Sequence, residues 1–196
     1  MEGTENKKEI KLIHEIKEWA IVIVVAYILF KLITVFVFFN SQIPSESMYP
    51  TLQVKDRLFT WRIFDRSELG HGEIVVFKQP NDKDLYVKRI IGLPGDVIKL
   101  EPNGDVYVNG ELIEEPYVKN QIDTATYEKG LYTTYNGREM NLGTYEVPEN
   151  HVFLIGDNRS ASLDARYWKD PYISMDAIEG KPLFRIWPFP RFGKIE

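Results

Sequence analysis

The chain has 196 residues, 44% of them hydrophobic, which is enough for one well-buried domain or two small ones beside any membrane anchor. It contains no cysteine, so disulfides, thiolate nucleophiles and zinc–thiolate sites are excluded. Its formal net charge of −5 argues against nucleic-acid binding, because phosphate neutralisation requires clustered lysine and arginine.

The amino-terminal part of the chain predicts a membrane-spanning helix. Residues 1–18 carry charges of both signs and are expected to be helical and solvated. Residues 20–39 are apolar apart from Lys31, and a helix of that length spans about 30 Å, the hydrocarbon thickness of a bilayer. With Trp19 as an interfacial residue at its start, we predict a transmembrane anchor over residues 19–39.

The charges on either side of this anchor predict its orientation. Four lysines precede the span: Lys7, Lys8, Lys11 and Lys17. Residues 40–54 contain no lysine or arginine, so residues 1–18 are expected in the cytoplasm and residues 40–196 outside it. A cleaved signal sequence is less favoured, because its apolar region is shorter and a small-x-small pair usually follows closely. A buried core helix is a minor alternative.

Residues 43–52, directly after the anchor, hold two serines between two prolines. Pro44 and Pro50 constrain their own backbone and that of the preceding residues, so Ser45 and Ser47 lie on a restricted segment. A hydroxyl group held in this way is a candidate nucleophile. The same residues could equally form a polar linker that leaves a membrane.

The rest of the chain predicts a mainly β domain of short antiparallel strands. Segments rich in β-branched and aromatic residues recur between turn residues. They are residues 57–63, 73–77, 85–91, 96–100, 106–113, 152–155 and 182–187. Asn109-Gly110 predicts a type I′ hairpin. Residues from about 120 to 146 are polar and predict an exposed insertion.

Lys88 lies in one of these strands, within an apolar context. Strict alternation puts Lys88 and Arg89 on opposite faces, so one of them shares a face with apolar neighbours. If that residue is Lys88, desolvation lowers its pKa towards the neutral range, as a general base requires. The alternative is an edge lysine whose ammonium group reaches solvent.

Residues 156–166 form a dense polar segment after an apolar strand. They contain two Asp, two Arg, two Ser and one Asn, which can form a solvated loop or brace a site through an Asp–Arg pair. Among the histidines, only His71 and His151 lie beyond the anchor as possible partners for Ser47, and neither has a distinctive context.

Together, the segments at residues 44–52, 86–96 and 156–166 resemble the signature segments of bacterial type I signal peptidases, in the same order after one anchor. The resemblance covers residues from about 16 to 190. The size, the single anchor and the ending at residues 184–189 are most similar to the short Gram-positive form. The resemblance implies a signal-peptidase-like β fold for residues 40–196.

The resemblance also implies roles for individual residues. Ser47 matches the nucleophile and Lys88 the general base of a Ser–Lys dyad, while Ser45 and the Ser47 backbone N–H match the oxyanion hole. Three further residues match supporting positions: Ser162 orients the lysine, and Asp164 pairs with Arg166. Departures from the family pattern at Ser160, Ala161, Ala165 and Gly72-Glu73 affect none of the matched catalytic positions.

The implied function is removal of signal peptides from secreted preproteins after small residues of the Ala-x-Ala type, with no metal or nucleotide cofactor. The implied partners are preproteins, the lipid bilayer and the secretion translocase, with no nucleic acid. Trp187, Phe189 and Phe192, together with Arg185 and Arg191, could rest on the bilayer surface or form a final core strand. A catalytically silent, membrane-anchored β domain is the alternative. An autoproteolytic regulator with Ser–Lys chemistry is disfavoured, because its amino end would carry a nucleic-acid-binding domain.

Overall fold

The structure is a computed structural model that describes residues 2–62, 65–80, 82–118 and 140–195. It divides into two compact units, Met1–Phe39 and Asn40–Glu196. Of the predicted insertion at residues 120–146, only residues 140–146 are described, and the rest of that prediction lies outside the described residues.

The first unit is built on one long helix, α1 (Glu2–Phe36). Apolar side chains along it are exposed on all sides, as expected of a helix that contacts lipid rather than a protein core. Its segment Ile13–Phe36 is long and apolar enough to cross a membrane. The helix ends at Phe36, whereas Phe38 and Phe39, which end the apolar run in the sequence, belong to a strand.

The second unit is mainly β, which confirms the predicted fold class. The strands are β1 Phe38–Gln42, β2 Arg57–Trp61, β3 Ile74–Lys78, β4 Leu85–Gly92, β5 Val97–Leu100, β6 Val106–Val108, β7 Glu111–Leu112, β8 Gly143–Glu146, β9 His151–Ile155, β10 Tyr172–Ser174, β11 Ile178–Trp187 and β12 Gly193–Lys194. Short 3₁₀ helices lie at Arg66–Glu68, Met175–Ala177 and Phe189–Arg191.

These strands form two sheets. The larger has the order β1-β2-β11-β3-β4-β9-β10, with β12 also paired to β11, and the smaller has the order β7-β6-β5-β8. The pairings of β3 with β4, β4 with β9 and β11 with β2 are antiparallel. Strand β11 follows β10 in sequence but lies between β2 and β3, so the last long strand of the chain is central in the larger sheet.

Both sheets contribute to the main hydrophobic core. Phe77 of β3, Ile90 of β4, Ile98 of β5 and Phe153 of β9 are all fully buried in it. Because apolar residues occupy both faces of β4 and β9, these strands are covered on both sides. Polar side chains that enter this region must therefore find partners inside the protein.

The predicted hairpin is confirmed. Strands β6 and β7 pair with Val108 opposite Glu111. Asn109 and Gly110 have φ values of 54° and 86°, the positive values that a type I′ turn requires. Strands β1, β8, β10 and β12 were not among the predicted strands, and β8 lies at the end of the segment expected to be an exposed insertion.

Candidate active site

Ser47 lies in a tight loop that follows β1. Hydrogen bonds from Ile43 N to Asp56 O (2.9 Å) and from Lys55 N to Ile43 O (2.9 Å) close the base of this loop. Inside it, the Leu52 N–H donates to Met48 O at 2.8 Å, forming a single helical turn just after Ser47. Ser47 is buried, whereas Ser45 is exposed. The segment is therefore an ordered loop with an internal hydrogen-bond network rather than a free linker.

Lys88 reaches this loop from strand β4. Its Nζ lies 2.9 Å from Ser47 Oγ and 3.1 Å from the Val87 carbonyl oxygen. Only 3% of the Lys88 surface is exposed, so the structure excludes the edge-lysine alternative. Burial lowers the pKa of Lys88 to about 8, although the negative charge of Asp164 acts in the opposite direction.

Ser45 also lies close to the Ser47 hydroxyl. Its Oγ is 3.4 Å from Ser47 Oγ, a long contact that leaves the Ser45 hydroxyl free to turn towards a third group. Two hydroxyl groups and an amine thus meet at one point on the edge of the β domain.

Ser162, Asp164 and Arg166 lie in the buried loop that follows β9. Arg166 forms a bidentate salt bridge with Asp164, with Nε–Oδ1 at 2.8 Å and Nη2–Oδ2 at 2.9 Å. Burial alone would raise the pKa of Asp164, but the Arg166 guanidinium holds it below its usual value. Ser162 Oγ is buried without a hydrogen bond of normal geometry among the described residues, yet it lies close enough to Asp164 to help lower that pKa.

Arg89, Asp157, Asn158 and Thr51 join this cluster, and the sequence analysis gave none of them a role. Arg89 bonds Asp157 through two nitrogens, at 2.8 and 2.7 Å, and the Thr51 hydroxyl donates to the same carboxylate at 2.6 Å. The Asn158 N–H donates to Ser47 O at 3.1 Å. Their positions in the sequence could have suggested them, because each is adjacent to or within a segment that carries a predicted site residue.

The Arg89 guanidinium also packs against the ring of Tyr117. The ring centroid of Tyr117 lies 3.8 Å from the guanidinium carbon, a close cation–π contact. Lys88 and Arg89, on opposite faces of β4, are both buried, and within the described ranges of the chain Arg89 has a carboxylate partner whereas Lys88 has none.

An open groove of about 670 Å³ runs past Ser47 and Lys88. It is lined by residues 40–45, Ser47, Met48, residues 83–88, Ala161 and Leu163. Pairing of β4 with β9 begins at Arg89, so residues 85–88 have a backbone edge that β9 does not occupy. The groove can accept an extended chain beside the serine.

The two candidate histidines bond elsewhere. His71 Nε2 lies 2.6 Å from Asp96 Oδ2, and His151 Nδ1 lies 2.8 Å from the Glu149 carbonyl oxygen. Lys88 is thus the basic group at Ser47 within the described part of the chain. In that same part, His, Asp and Glu side chains form no group of three that could hold a metal ion.

Comparison with known proteins identifies the family. The protein-family model described as "Signal peptidase, peptidase S26" matches residues 16–187. The chain is 36% identical over 197 residues to "Probable signal peptidase I-2" of Synechocystis sp., covering 97% of this chain and 82% of that protein. It is 35% identical over 180 residues to "Signal peptidase I S" of Bacillus subtilis, covering 91% of this chain and 93% of the relative.

A crystal structure of a signal peptidase I from Enterococcus faecalis is 25% identical, with a TM-score of 0.43, and covers 58% of this chain and 96% of that one. The family match extends over most of the chain and includes every segment that carries the predicted site. The resemblance stated from the sequence is thus confirmed, and the chain belongs to the signal peptidase family, peptidase S26.

Proposed function

We propose that this protein is a membrane-bound endopeptidase that removes signal peptides from secreted preproteins, with Ser47 as nucleophile and Lys88 as general base. The observation that carries the proposal is the 2.9 Å contact between Lys88 Nζ and Ser47 Oγ, with the lysine buried. The coarser assignment is supported by relatives named signal peptidase I along most of the chain.

In the proposed reaction, neutral Lys88 takes the proton of the Ser47 hydroxyl as its oxygen attacks the scissile carbonyl. The Ser45 hydroxyl and the Ser47 N–H donate hydrogen bonds to the oxyanion that develops. Lys88 then returns the proton to the leaving amine, which departs as the new amino terminus of the mature protein. In the second half, Lys88 deprotonates a water molecule that attacks the Ser47 ester, and it then returns this proton to Ser47 Oγ as the ester bond breaks and the signal peptide leaves.

Ser162, Asp164 and Arg166 act in this scheme from behind Lys88. In this role the Ser162 hydroxyl, which makes no hydrogen bond of normal geometry among the described residues, would turn to orient the lysine amine, and the Asp164–Arg166 pair fixes the loop that carries Ser162. Asp164 is paired with Arg166 and, among the described residues, does not hydrogen-bond Lys88. Its negative charge is therefore largely neutralised and does little to keep Lys88 protonated.

The substrate lies extended in the groove in this proposal. Its backbone pairs with the free edge of residues 85–88, and small side chains at the first and third positions before the cut fit against the groove wall. This accounts for the expected preference for Ala-x-Ala.

The anchor places the reaction at a membrane. Helix α1 crosses the bilayer, its lysine-rich start remains in the cytoplasm, and the β domain lies outside. Holding enzyme and preprotein in the same bilayer raises their effective concentration for each other, and we expect the enzyme to work beside the secretion translocase.

The test uses the full chain in detergent and a preprotein that carries Ala-x-Ala. We expect wild type to cut once after the second alanine, and Ser47→Ala and Lys88→Ala to lose at least about 10³-fold in rate. Ser67→Ala is the matched control, since Ser67 lies in the short helix at Arg66–Glu68 and its hydroxyl donates to Asp65, the N-cap of that helix. An inactive wild type would favour the catalytically silent binding domain, and equal cutting by Ser47→Ala would refute the dyad.

A further inference from the structure

A buried carboxylate lies at the end of the Ser47 loop. Asp56 is 1% exposed, and its Oδ1 accepts a hydrogen bond from Arg191 Nη1 at 2.9 Å. Its Oδ2 accepts the Gln53 N–H at 2.8 Å and lies 3.5 Å from Arg185 Nη1. A carboxylate so far from water requires such cations, because an unpaired buried charge is strongly destabilising.

Both cations come from the end of the chain. Arg185 lies in β11, and Arg191 ends the short helix at Phe189–Arg191. The two are joined, since Arg185 Nε donates to the Arg191 carbonyl oxygen at 2.5 Å. Arg185 and Arg191 were candidates for contact with the bilayer surface, but both side chains turn inward to Asp56.

The contact extends into the turn that follows Ser47. Arg185 Nη1 donates to the Thr51 carbonyl oxygen at 3.0 Å, and the Thr51 hydroxyl donates to Asp157 at 2.6 Å. Asp157 in turn bonds Arg89, which adjoins Lys88 in β4. Thr51 is therefore held by two contacts. One is with Arg185 near the end of the chain, and the other is with Asp157, which is bonded to the strand that carries the proposed base.

We propose that Asp56, Arg185 and Arg191 form a clamp by which the carboxyl-terminal segment positions Ser47 for attack. This inference rests on the proposed function, and it makes residues 185–191 a positioning part of the active site. Asp56 also closes the loop base through its carbonyl oxygen, which accepts the Ile43 N–H at 2.9 Å. Loss of the clamp frees the carboxyl half of the loop while Asn158 still holds Ser47 O.

The clamp predicts a separation between kcat and KM. Displacing a nucleophile by a fraction of an ångström slows the chemical step, whereas the groove that binds the peptide is lined by other residues. We expect Arg191→Gln and Asp56→Asn to lower kcat by about tenfold or more, with KM within about twofold of wild type. Arg191→Lys, which keeps the charge, should recover a large part of kcat.

Lys181→Gln is the matched control. Lys181 also lies in β11 and also forms an ion pair, with Glu73 at 2.6 Å, but it bonds no residue of the loop at 43–56. Its loss should leave kcat unchanged. If Lys181→Gln and Arg191→Gln lower the unfolding midpoint and kcat in parallel, the clamp is only a stabilising contact and the proposal is wrong.

Hydrogen exchange separates this inference from the proposed function. Amide exchange of residues 47–56, measured by mass spectrometry on the full-length protein, should be faster in Arg191→Gln than in wild type or Lys181→Gln, with β3 and β4 unchanged. The measurement does not depend on catalysis. An inactive wild type would refute the proposed function, whereas equal exchange in Arg191→Gln and wild type would refute the clamp.

Discussion

At the scale of single residues, the environment of Lys88 makes its protonated form less stable than that of an ordinary lysine. The amine is buried, and among the described residues its hydrogen-bond partners are the Ser47 hydroxyl and the Val87 carbonyl oxygen, neither of which is charged. The nearby carboxylates of Asp164 and Asp157 each bond an arginine instead. Protonation of Lys88 is therefore disfavoured in the folded state, which is the condition that general-base catalysis requires.

This environment predicts the pH dependence of cleavage. Because burial lowers the pKa of Lys88 to about 8, the neutral fraction of the base rises as pH increases through that value. We expect kcat/KM for preprotein cleavage to increase with pH between about 6 and 9, with its half-maximum near pH 8. The profile is measured on the full chain in detergent at constant ionic strength.

Histidine variants are the control for that assignment. His71 and His151 bond Asp96 and the Glu149 carbonyl, so His71→Gln and His151→Gln should leave the half-maximum in place. A profile that shifts with either substitution, or that is flat from pH 6 to 9, would contradict the assignment of Lys88.

The same burial affects stability, with a definite sign. The folded-state pKa of Lys88 lies below its ordinary value of 10.5, so the unfolded chain binds this proton more tightly. The penalty is present in full below about pH 8 and disappears as pH rises towards 10.5. The proposed base thus destabilises the fold most at and below about pH 8, a cost that is common for groups in active sites.

At the scale of elements, the loop after β9 depends on one glycine. A Cβ on Gly156 would lie 2.2 Å from Ser162 Oγ and 2.5 Å from the Ser47 carbonyl oxygen. Both distances are well below van der Waals contact, and the second involves the backbone of the Ser47 loop. Glycine at this position therefore allows the two loops of the site to touch.

Replacing Gly156 with alanine should separate those loops. We expect Gly156→Ala to reduce kcat by on the order of a hundredfold and to destabilise the domain by about 1–3 kcal/mol, measured by cleavage assay and urea unfolding. Gly70→Ala is the control, because a Cβ there meets no atom within 4 Å. Equal kcat and equal free energy of unfolding in the two variants would show that the loops can move apart without loss of activity or stability.

The strands differ in how far the sequence predicts them. Segments such as β3 and β9 were predictable, because continuous β-branched and aromatic runs are typical of strands buried on both faces. β1 was not, since Phe38 and Phe39 continue the apolar run of the helix without a break in composition. β10 has only three residues and shows no clear alternation.

The site was predictable where its residues lie in local motifs. Ser47 and Lys88 were found because each lies in a segment with a recognisable pattern, and their 2.9 Å contact then follows from the fold. Asp56 and Arg191 lie 135 positions apart, and an acidic chain offers many such pairs. Only the placement of β11 beside β2 makes that one pair specific.

At the scale of the whole molecule, charge is distributed unevenly along the chain. The net charge is −5, yet the segment before the apolar run holds Lys7, Lys8, Lys11 and Lys17, while residues 40–54 hold no basic residue. Short basic segments stay on the cytoplasmic side during membrane insertion. We therefore propose that the difference in lysine content across the helix determines which side of the membrane the groove faces.

The complete absence of cysteine allows that orientation to be tested cleanly. In intact bacterial cells, a membrane-impermeant thiol reagent should label a cysteine at exposed position 169 (Lys169→Cys) but not one at position 4 (Thr4→Cys). Permeabilised cells should label both, which controls for reactivity. Because lysines near the span determine the orientation, replacing the four amino-terminal lysines with glutamine should weaken the difference between the two sites. Labelling of Thr4→Cys alone in intact cells would mean that the groove faces the cytoplasm, where it could not act on translocated preproteins.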